Sequence, residues 1–428
     1  MEIYSIFGLV VGIIFIGFFS EIIFKKTNVP DVLILILVGI LIGEVFSINA
    51  IDFGFAAQLF TTFALLFILF QGAINIDIKV LFKSLPKTLQ LTIISFVFTV
   101  GVIVGISYFL DYNIMHSLML GTILAGTSSA VVIPLVNNVE IREKYGLVLT
   151  LESAISDVLC IIGTITIIEI ISSGSFVASE VFKTVLSSFS LALIFGIIIG
   201  VFWMILLFKF ENLSKSYIVT IAVVIGVYAF VESPFVEGSG AIAVLFFGLI
   251  LGNSRTLIAL KNSQNHGKKK EGERVMKNVL SPTAKNFYGE ISFFVKTFFF
   301  VYLGLLMDFS NPNVFIYGGI MTLGIYLIRP FAVKMTFGRK EKLDIKEKTL
   351  LEILIPKGLA AAVLAQLSVQ SGVLGERATE FGSLILSVIF LSIFLTSILI
   401  FLTEKGWFKG FFFFLRKENV LSGNGVKK

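Results

Sequence analysis

Long apolar runs alternate with short polar connectors along the whole chain. A span of about 30 Å of hydrocarbon needs roughly 20 residues at a rise of about 1.5 Å each. Runs near that length fall at residues 3–23, 30–47, 54–74, 88–110, 115–136, 146–171, 182–208, 216–232, 239–253, 287–307, 313–336, 347–371 and 379–404. The pattern predicts an all-α polytopic membrane protein with thirteen transmembrane helices. Lysine and arginine set its orientation. Connectors after odd-numbered runs carry Lys25 and Lys26, then Lys79, Lys83 and Lys87, then Arg142 and Lys144, then Lys209 and Lys215. The series continues with the Arg255–Lys285 loop, the Lys334–Lys346 loop and the C-terminal tail, whereas the even connectors hold little beyond Lys183 and Arg377. The positive-inside rule then places the N-terminus outside and the C-terminus in the cytoplasm. A missed span would break this alternation, so the charges also support the count.

Thirteen spans divide in an informative way. Residues 1–172 hold the first six, 173–210 the seventh, 211–404 the last six, and 405–428 form a short cytoplasmic tail. The two six-helix sets start on opposite sides, which makes them inverted repeats. Such repeats are a transporter signature, with the binding site near the midplane on interrupted helices. The fifth run then corresponds to the twelfth, and the sixth to the thirteenth. The fifth contains Gly121, Gly126, Thr127-Ser128-Ser129 and Pro134, and the twelfth contains Pro356-Lys357-Gly358. Proline removes a backbone donor and glycine loosens the helical ladder, so both runs are expected to break at mid-depth. Either one alone reads as a kinked helix with hydroxyls bonded to its own carbonyls. Their repeat-related positions favour true breaks.

Composition agrees and narrows the class. The 428 residues are 56% hydrophobic and 14% charged, with a mean hydropathy of +0.97, which excludes a soluble globular enzyme. The single cysteine, Cys160, lies inside a run and supports no disulfide framework. The first run lacks a charged leader and a small-residue cleavage site, so it is expected to be retained. The 254–286 loop with Lys268-Lys269-Lys270 reads as a solvated linker that touches anionic lipid headgroups. Membrane lipid, not nucleic acid, is the expected partner. Both histidines, His116 and His266, fall at a helix end or in a loop, so no metal or histidine catalyst is expected at membrane depth, and no cofactor.

The exceptional stretch is Leu149–Val158, which puts Glu152 and Asp157 inside an apolar run. A carboxylate there costs about 2.5–3.5 kcal/mol on insertion scales and is by default a functional candidate. The two are about 140° apart around a helix, whereas Ser153 and Asp157 share a face. By rise per residue, Asp157 and Thr127 lie roughly 18 Å from the ends of their spans, and Lys357 roughly 15 Å. All three fall near mid-membrane. Glu152 and Arg329 each lie roughly 10 Å from the cytoplasmic end, so they are expected to form a structural ion pair. Lys296 is also deep. It could compensate a half-helix C-terminus, snorkel toward the cytoplasm or line an ion path.

These residues resemble the cation:proton antiporter superfamily of Na+/H+ and K+/H+ exchangers. The resemblance covers essentially the whole chain. Leu151-Glu152-Ser153-Ala154-Ile155-Ser156-Asp157 is similar to the family's G-E-S-x-x-N-D helix, with Ser156 where Asn or Asp is usual. Thr127-Ser128-Ser129-Ala130 is similar to the crossing segment, which reads T-D-P in the NhaP-type branch and S-S-T-A in the Kef-type branch. Leu327-Ile328-Arg329-Pro330 resembles the NhaP-type helix whose Arg pairs with the Glu of G-E-S. Pro356-Lys357-Gly358-Leu359 resembles the second crossing segment, usually R-G. Phe70-Gln71-Gly72 is similar to a third-helix motif that often carries Glu. The motif Asp of T-D-P is Ser128 here, and the Kef-type nucleotide-binding domain is absent from the sequence.

The resemblance implies a secondary antiporter of a prokaryotic plasma membrane, active in pH homeostasis and working as a homodimer. Asp157 is then the expected shared site for a monovalent cation, Na+ favoured and K+ the other candidate, or a proton. Ser153, Ser156, Ser128, Ser129 and Thr127 would add oxygens, and Lys357 would hold half-helix partial charges at the crossing. The roles of Gln71 and Lys296 stay open. One carboxylate exchanging one cation for one proton implies electroneutral 1:1 transport. A channel or uniporter that uses the same residues is the competing class, and coupling to protons separates the two.

Overall fold

In hydrocarbon every backbone N–H and C=O must be paired within the protein, and a helix does this inside one segment. The apolar runs accordingly fold as helices. The computed structural model describes residues 3–27, 31–46, 54–174, 178–209, 216–258, 279–307, 311–338, 341 and 343–410, and among these no strand occurs. The Lys268-Lys269-Lys270 cluster, His266 and the tail beyond residue 410 lie outside the described residues.

The helices are α1 Ile3–Thr27, α2 Asp31–Phe46, α3 Gly54–Asn75, α4 Ile78–Tyr108, α5 Ile114–Ala125, α6 Ser129–Asn138, α7 Glu143–Ser173, α8 Ala178–Lys209, α9 Ser216–Val231 and α10 Gly240–Gly252. After them come α11 Pro282–Leu305, α12 Pro312–Phe337, α13 Ile345–Ile353, α14 Leu359–Gln370 and α15 Ala378–Glu404. Seven apolar stretches among them are long enough to cross a membrane by length and composition. The run at 115–136 is divided into α5 and α6, and the run at 347–371 into α13 and α14.

The chain forms two compact units. The first comprises residues 1–18, 35–83 and 168–306. Its core is α10, packed between α3 and α8. Small residues four apart let these backbones meet. Gly196 and Gly200 of α8 face α10, while Gly248 and Gly252 of α10 face α3. A Cβ on Gly252 would lie 2.7 Å from Ile74 Cα and carbonyl carbon, a clash with main chain that no rotamer relieves. Polar side chains pin the ends of the same helices. Asn253 donates to the carbonyl of Ile76 at 2.7 Å and accepts from the Ile78 amide at 2.8 Å, which bridges the break between α3 and α4. Lys285 donates to the Ile74 carbonyl and Ser292 to the Phe67 carbonyl, so α11 is bonded to α3. Gln71 sits at this seam, its amide nitrogen 3.1 Å from where a Gly289 Cβ would be. Lys296, also on α11, is half-buried.

The second unit comprises residues 19–34, 84–167 and 307–428. Here α12 and α14 pack on α15, and α13 packs on α12 and α15. All four halves of the two broken helices belong to it, as do Glu152, Asp157, Arg329 and Lys357.

The first unit yields a packing test. Gly252→Ala is expected to destabilise the protein by about 1–3 kcal/mol through overpacking. Gly101→Ala on α4, where no atom lies within 4 Å of the new Cβ, is expected to be neutral or to stabilise by about 0.5–1 kcal/mol. Thermal unfolding in detergent reads both.

Candidate functional site

The two broken helices run antiparallel and are tied at each end of the second unit. At one end Arg142, just after α6, forms a two-pronged ion pair with Glu347 in the first turn of α13, and Glu347 also accepts the Asp344 amide at 3.0 Å. Lys144 and Tyr145 both bond Glu341 there, at 3.0 and 3.1 Å. At the other end His116 of α5 contacts the Val373 carbonyl at 3.1 Å, beyond α14. Arg377 donates to the Asp111 carbonyl at 2.8 Å and stacks 4.9 Å from the Tyr112 ring. Pairs like these, with one partner open to solvent, contribute modest stability singly. Together they fix the register in which the two helices pass one another.

At the centre both chains unwind, at Gly126–Ser128 and Leu354–Gly358. The freed backbone groups find partners in a repeating pattern. The Thr127 amide donates to Ser156 Oγ on α7 at 3.0 Å, and the Lys357 amide donates to Ser392 Oγ on α15 at 2.9 Å. Each serine hydroxyl in turn donates to the carbonyl three residues earlier in its own helix, Ser153 and Ile389 respectively, at 3.0 and 2.9 Å. The segments also bond each other directly, from the Ser128 amide to the Pro356 carbonyl at 2.7 Å. The Gly126 carbonyl receives the Lys357 ammonium at 2.9 Å. The helical break therefore leaves a lysine at the negative end of α5, where a cation is stabilised.

An arginine serves the other broken helix. Arg329 Nε donates to the Leu351 carbonyl in the last turn of α13 at 2.9 Å. Its Nη atoms form a fork with the Glu152 carboxylate, one arm at 2.6 Å, and Nη1 also reaches Ser95 of α4 at 2.6 Å. Arg329 is 3% exposed and Glu152 2%. One guanidinium thus joins α4, α7, α12 and α13. Burying such a pair is costly in itself, but removing one partner is costlier still, because it strands the other charge.

Asp157 lies midway along α7, 5% exposed. It accepts the Ser129 hydroxyl at 2.8 Å, at the first turn of α6, where helix amides favour negative charge. Gly126 passes close over the same helix, and a Cβ there would lie 2.8 Å from Cys160 Sγ and 3.6 Å from Asp157 Oδ1. Ser153 is fully buried and donates to the Thr150 carbonyl at 2.8 Å, which leaves its oxygen lone pairs open. Ser156 is occupied by the Thr127 amide. Ser128 Oγ is buried against Gly358 and has no hydrogen-bond partner among the described residues. Thr127 lines a cavity of about 10 Å³ with Ser95, Thr99, Arg329 and Lys357, about the space one water needs. Asp157, Ser129, Ser153, Ser156, Ser128, Thr127, Lys357, Glu152 and Arg329 are thus gathered in one unit. Gln71 and Lys296 belong to the other. Ser95, Cys160 and Ser392 were not expected from the sequence, where a hydroxyl or thiol in an apolar helix carries no signal of its own.

Oxygens from a carboxylate, hydroxyls and unwound carbonyls are the donor set that a hard monovalent cation takes at a helix break. A carboxylate in such a place can also be neutralised by a proton.

A family model described as sodium/hydrogen exchanger, transmembrane, matches residues 8–405. The chain is 26% identical over 361 residues to probable Na(+)/H(+) antiporter 2 of Methanocaldococcus jannaschii, covering 80% of this chain and 79% of that one. It is 27% identical over 357 residues to Na(+)/H(+) antiporter 1 of the same organism, covering 80% and 78%. To the K(+)/H(+) antiporter NhaP2 of Shewanella oneidensis it is 24% identical over 363 residues, which span 82% of this chain and 58% of that longer protein. The solved structure of the sodium proton antiporter MjNhaP1 from M. jannaschii at pH 8 shares the fold, with a TM-score of 0.74 at 21% identity over 93% of this chain and all of that one.

Two variants test the crossing. A Cβ on Gly358 would meet Ser128 Oγ and lie 2.6 Å from Ser128 Cβ, so rotating the serine does not clear it. Gly358→Ala is therefore expected to lower stability by about 1–3 kcal/mol, and Ser128→Gly in the same chain to restore most of it, as read by thermal unfolding. Arg329→Met is expected to cost about 3–5 kcal/mol by stranding Glu152. Adding Glu152→Gln should recover part of that, less than all because the Leu351 carbonyl and Ser95 still lack their donor.

Proposed function

Since the chain belongs to the sodium/hydrogen exchanger family, we propose that it is a secondary active antiporter that exchanges a monovalent cation for H+ by alternating access. Na+ is the favoured cation and K+ the other candidate. The similar proteins named for Na+/H+ and K+/H+ exchange support the coupling. The observation that carries the site is Asp157, buried midway along α7 with its carboxylate bonded to Ser129 at the start of α6. Ser129, Ser153 and the Thr127 carbonyl complete the cation's oxygen set in this reading. Ser156 holds the unwound backbone, and Ser128 faces Gly358 across the crossing. Glu152 and Arg329 form the structural pair, and Lys357 compensates the end of α5.

The protein is an integral membrane protein, and we place its N-terminus outside and its C-terminus in the cytoplasm. Thirteen spans in two inverted repeats, 1–172 and 211–404 around a linker helix at 173–210, account for the matched bonds at the crossing. Residues 126–129 then correspond to 356–359, and Ser156 to Ser392. The residue after Ser392 is Ile393. The second repeat thus supplies no carboxylate opposite Asp157, and one carboxylate exchanging one cation for one proton gives electroneutral 1:1 transport. A homodimer follows from the resemblance.

Proteoliposomes test the whole reading. Proton flux is expected on addition of Na+, with K+ and Li+ offered separately to rank the cations. An imposed membrane potential should leave the rate unchanged. Asp157→Asn should abolish exchange and leave thermal stability near that of the parent. Exchange that survives in this variant would remove Asp157 from the site, and a cation flux with no proton counterflow would mark a channel instead.

A further inference from the structure

Lys357 is held twice. Its ammonium reaches the Gly126 carbonyl, and its own amide is anchored on Ser392 Oγ. The second anchor is braced from behind. The Ser392 carbonyl lies 3.0 Å from Tyr326 Oη and 2.8 Å from the Thr396 hydroxyl, and the two hydroxyls also touch each other, so their two protons are shared among the three contacts. Tyr326 and Ser392 are both fully buried, and Tyr326 stands one turn before Arg329 on α12. The helix that caps α13 through Arg329 therefore also braces α15 at the point where α15 grips Lys357. The bracing is specific. Ser397, on the same helix and also buried, donates to the Ile393 carbonyl at 2.7 Å and is five residues, about one and a half turns, from the crossing contact.

We propose that Ser392 is a positioning residue for exchange: its hydroxyl fixes the Lys357 main chain so that the ammonium meets the Gly126 carbonyl beside Asp157, and Tyr326 holds Ser392 in place. The physical reason is reach. A lysine stem is long and flexible, and its charge is placed only as well as its backbone is. Lys357 sits in an unwound segment with no helical ladder around it, so the Ser392 bond is the fixture that the ladder would otherwise provide. With that bond lost, the ammonium shifts relative to Asp157, and the balance between cation and proton at the carboxylate shifts with it. The same logic applies to Ser156 and Thr127 in the first broken helix, which makes the two serines matched fixtures for the two unwound segments. The proposal rests on Asp157 as the exchange site.

The experiment measures cation-driven proton flux in proteoliposomes containing the full chain, with Na+ and K+ as probes, for Ser392→Ala, Ser392→Thr and Ser397→Ala. Losing one neutral hydrogen bond corresponds to about a fivefold change. Ser392→Ala is expected to raise KM for the cation by about that factor and to displace the pH profile, while kcat changes little. Hydrogen exchange at the Lys357 amide should quicken. Ser392→Thr, which keeps the hydroxyl, should restore the parent values, and Ser397→Ala should match the parent throughout. A Ser392→Ala protein whose KM and pH profile equal those of Ser397→Ala overturns the proposal. Should Ser392→Ala not fold, Tyr326→Phe replaces it. That variant keeps the ring, removes the brace and is expected to move KM and pH profile in the same direction, and an unmoved profile overturns the proposal equally. Failure of the site assignment is read separately, as exchange that survives Asp157→Asn.

Discussion

A helix that breaks inside a membrane exposes amides and carbonyls that no solvent will satisfy, and this crossing depends on how those groups are paired. An unpaired backbone group in hydrocarbon costs several kcal/mol. Here the Thr127 and Lys357 amides go to serine hydroxyls, the Ser128 amide goes to the Pro356 carbonyl, the Gly126 carbonyl goes to Lys357 and the Leu351 carbonyl goes to Arg329. The pairing is nearly all side chain to main chain. It leaves the backbone irregular, which is what brings the start of α6 onto Asp157. The close approach of Gly358 to Ser128 serves the same end, because any side chain at 358 would push the two unwound segments apart.

The two buried cations do different work. Arg329 uses a rigid fork and a third donor direction to hold four helices, and its charge is answered by Glu152 in a bidentate pair. A lysine could not make those bonds at once. Lys357 bonds a single carbonyl and is a compact charge on a flexible stem, so it can compensate the α5 terminus without locking the segment that carries it. The division fits a site in which one charge pair is permanent and the other carboxylate must change its occupant. Glu152 and Asp157 are five residues apart on one helix and turn to different neighbours, and this lets one helix carry both kinds of charge.

Much of the fold was legible because hydrocarbon imposes simple rules. Length and apolarity located the helices, and glycine and proline marked the two runs that break, although Gly121 and Pro134 of the first run stand inside α5 and α6 and only Gly126 falls where that run unwinds. The depth match of Glu152 and Arg329 found two side chains that do meet. What periodicity could not show is which hydroxyls matter. Ser392 looks like any buried serine bonded to its own helix, as Ser397 and Ser368 are. Its role appears only once two remote segments are folded onto α15. The repeat offers a signal in principle, but Thr127 and Ser156 are 29 residues apart and Lys357 and Ser392 are 35 apart, so no fixed offset reveals the match. Ser95 was hidden for a related reason: its partner, Arg329, was already assigned to Glu152, and a guanidinium has donors to spare. Gln71 stood out only by resemblance, and it folds into the other unit against α11.

The matched bonds also bear on the proposed single-carboxylate site. If residues 126–129 and 356–359 are related by the proposed repeat, symmetry would place an amide of Gly358 on the Gly126 carbonyl, as the Ser128 amide lies on Pro356. The Lys357 ammonium bonds that carbonyl. Symmetry would likewise put a second carboxylate at 393, and isoleucine stands there, fully buried. The two departures go together. An ammonium at the crossing needs one negative neighbour, and a second carboxylate at 393 would bring another charge to desolvate at a cost of several kcal/mol. With a single carboxylate, a bound monovalent cation and a bound proton leave the crossing with the same net charge, so neither loaded state is favoured by the membrane field. In the proposed exchange, direction is then set by the two concentration gradients alone. In this reading, electroneutrality comes from a repeat whose symmetry is broken at two residues.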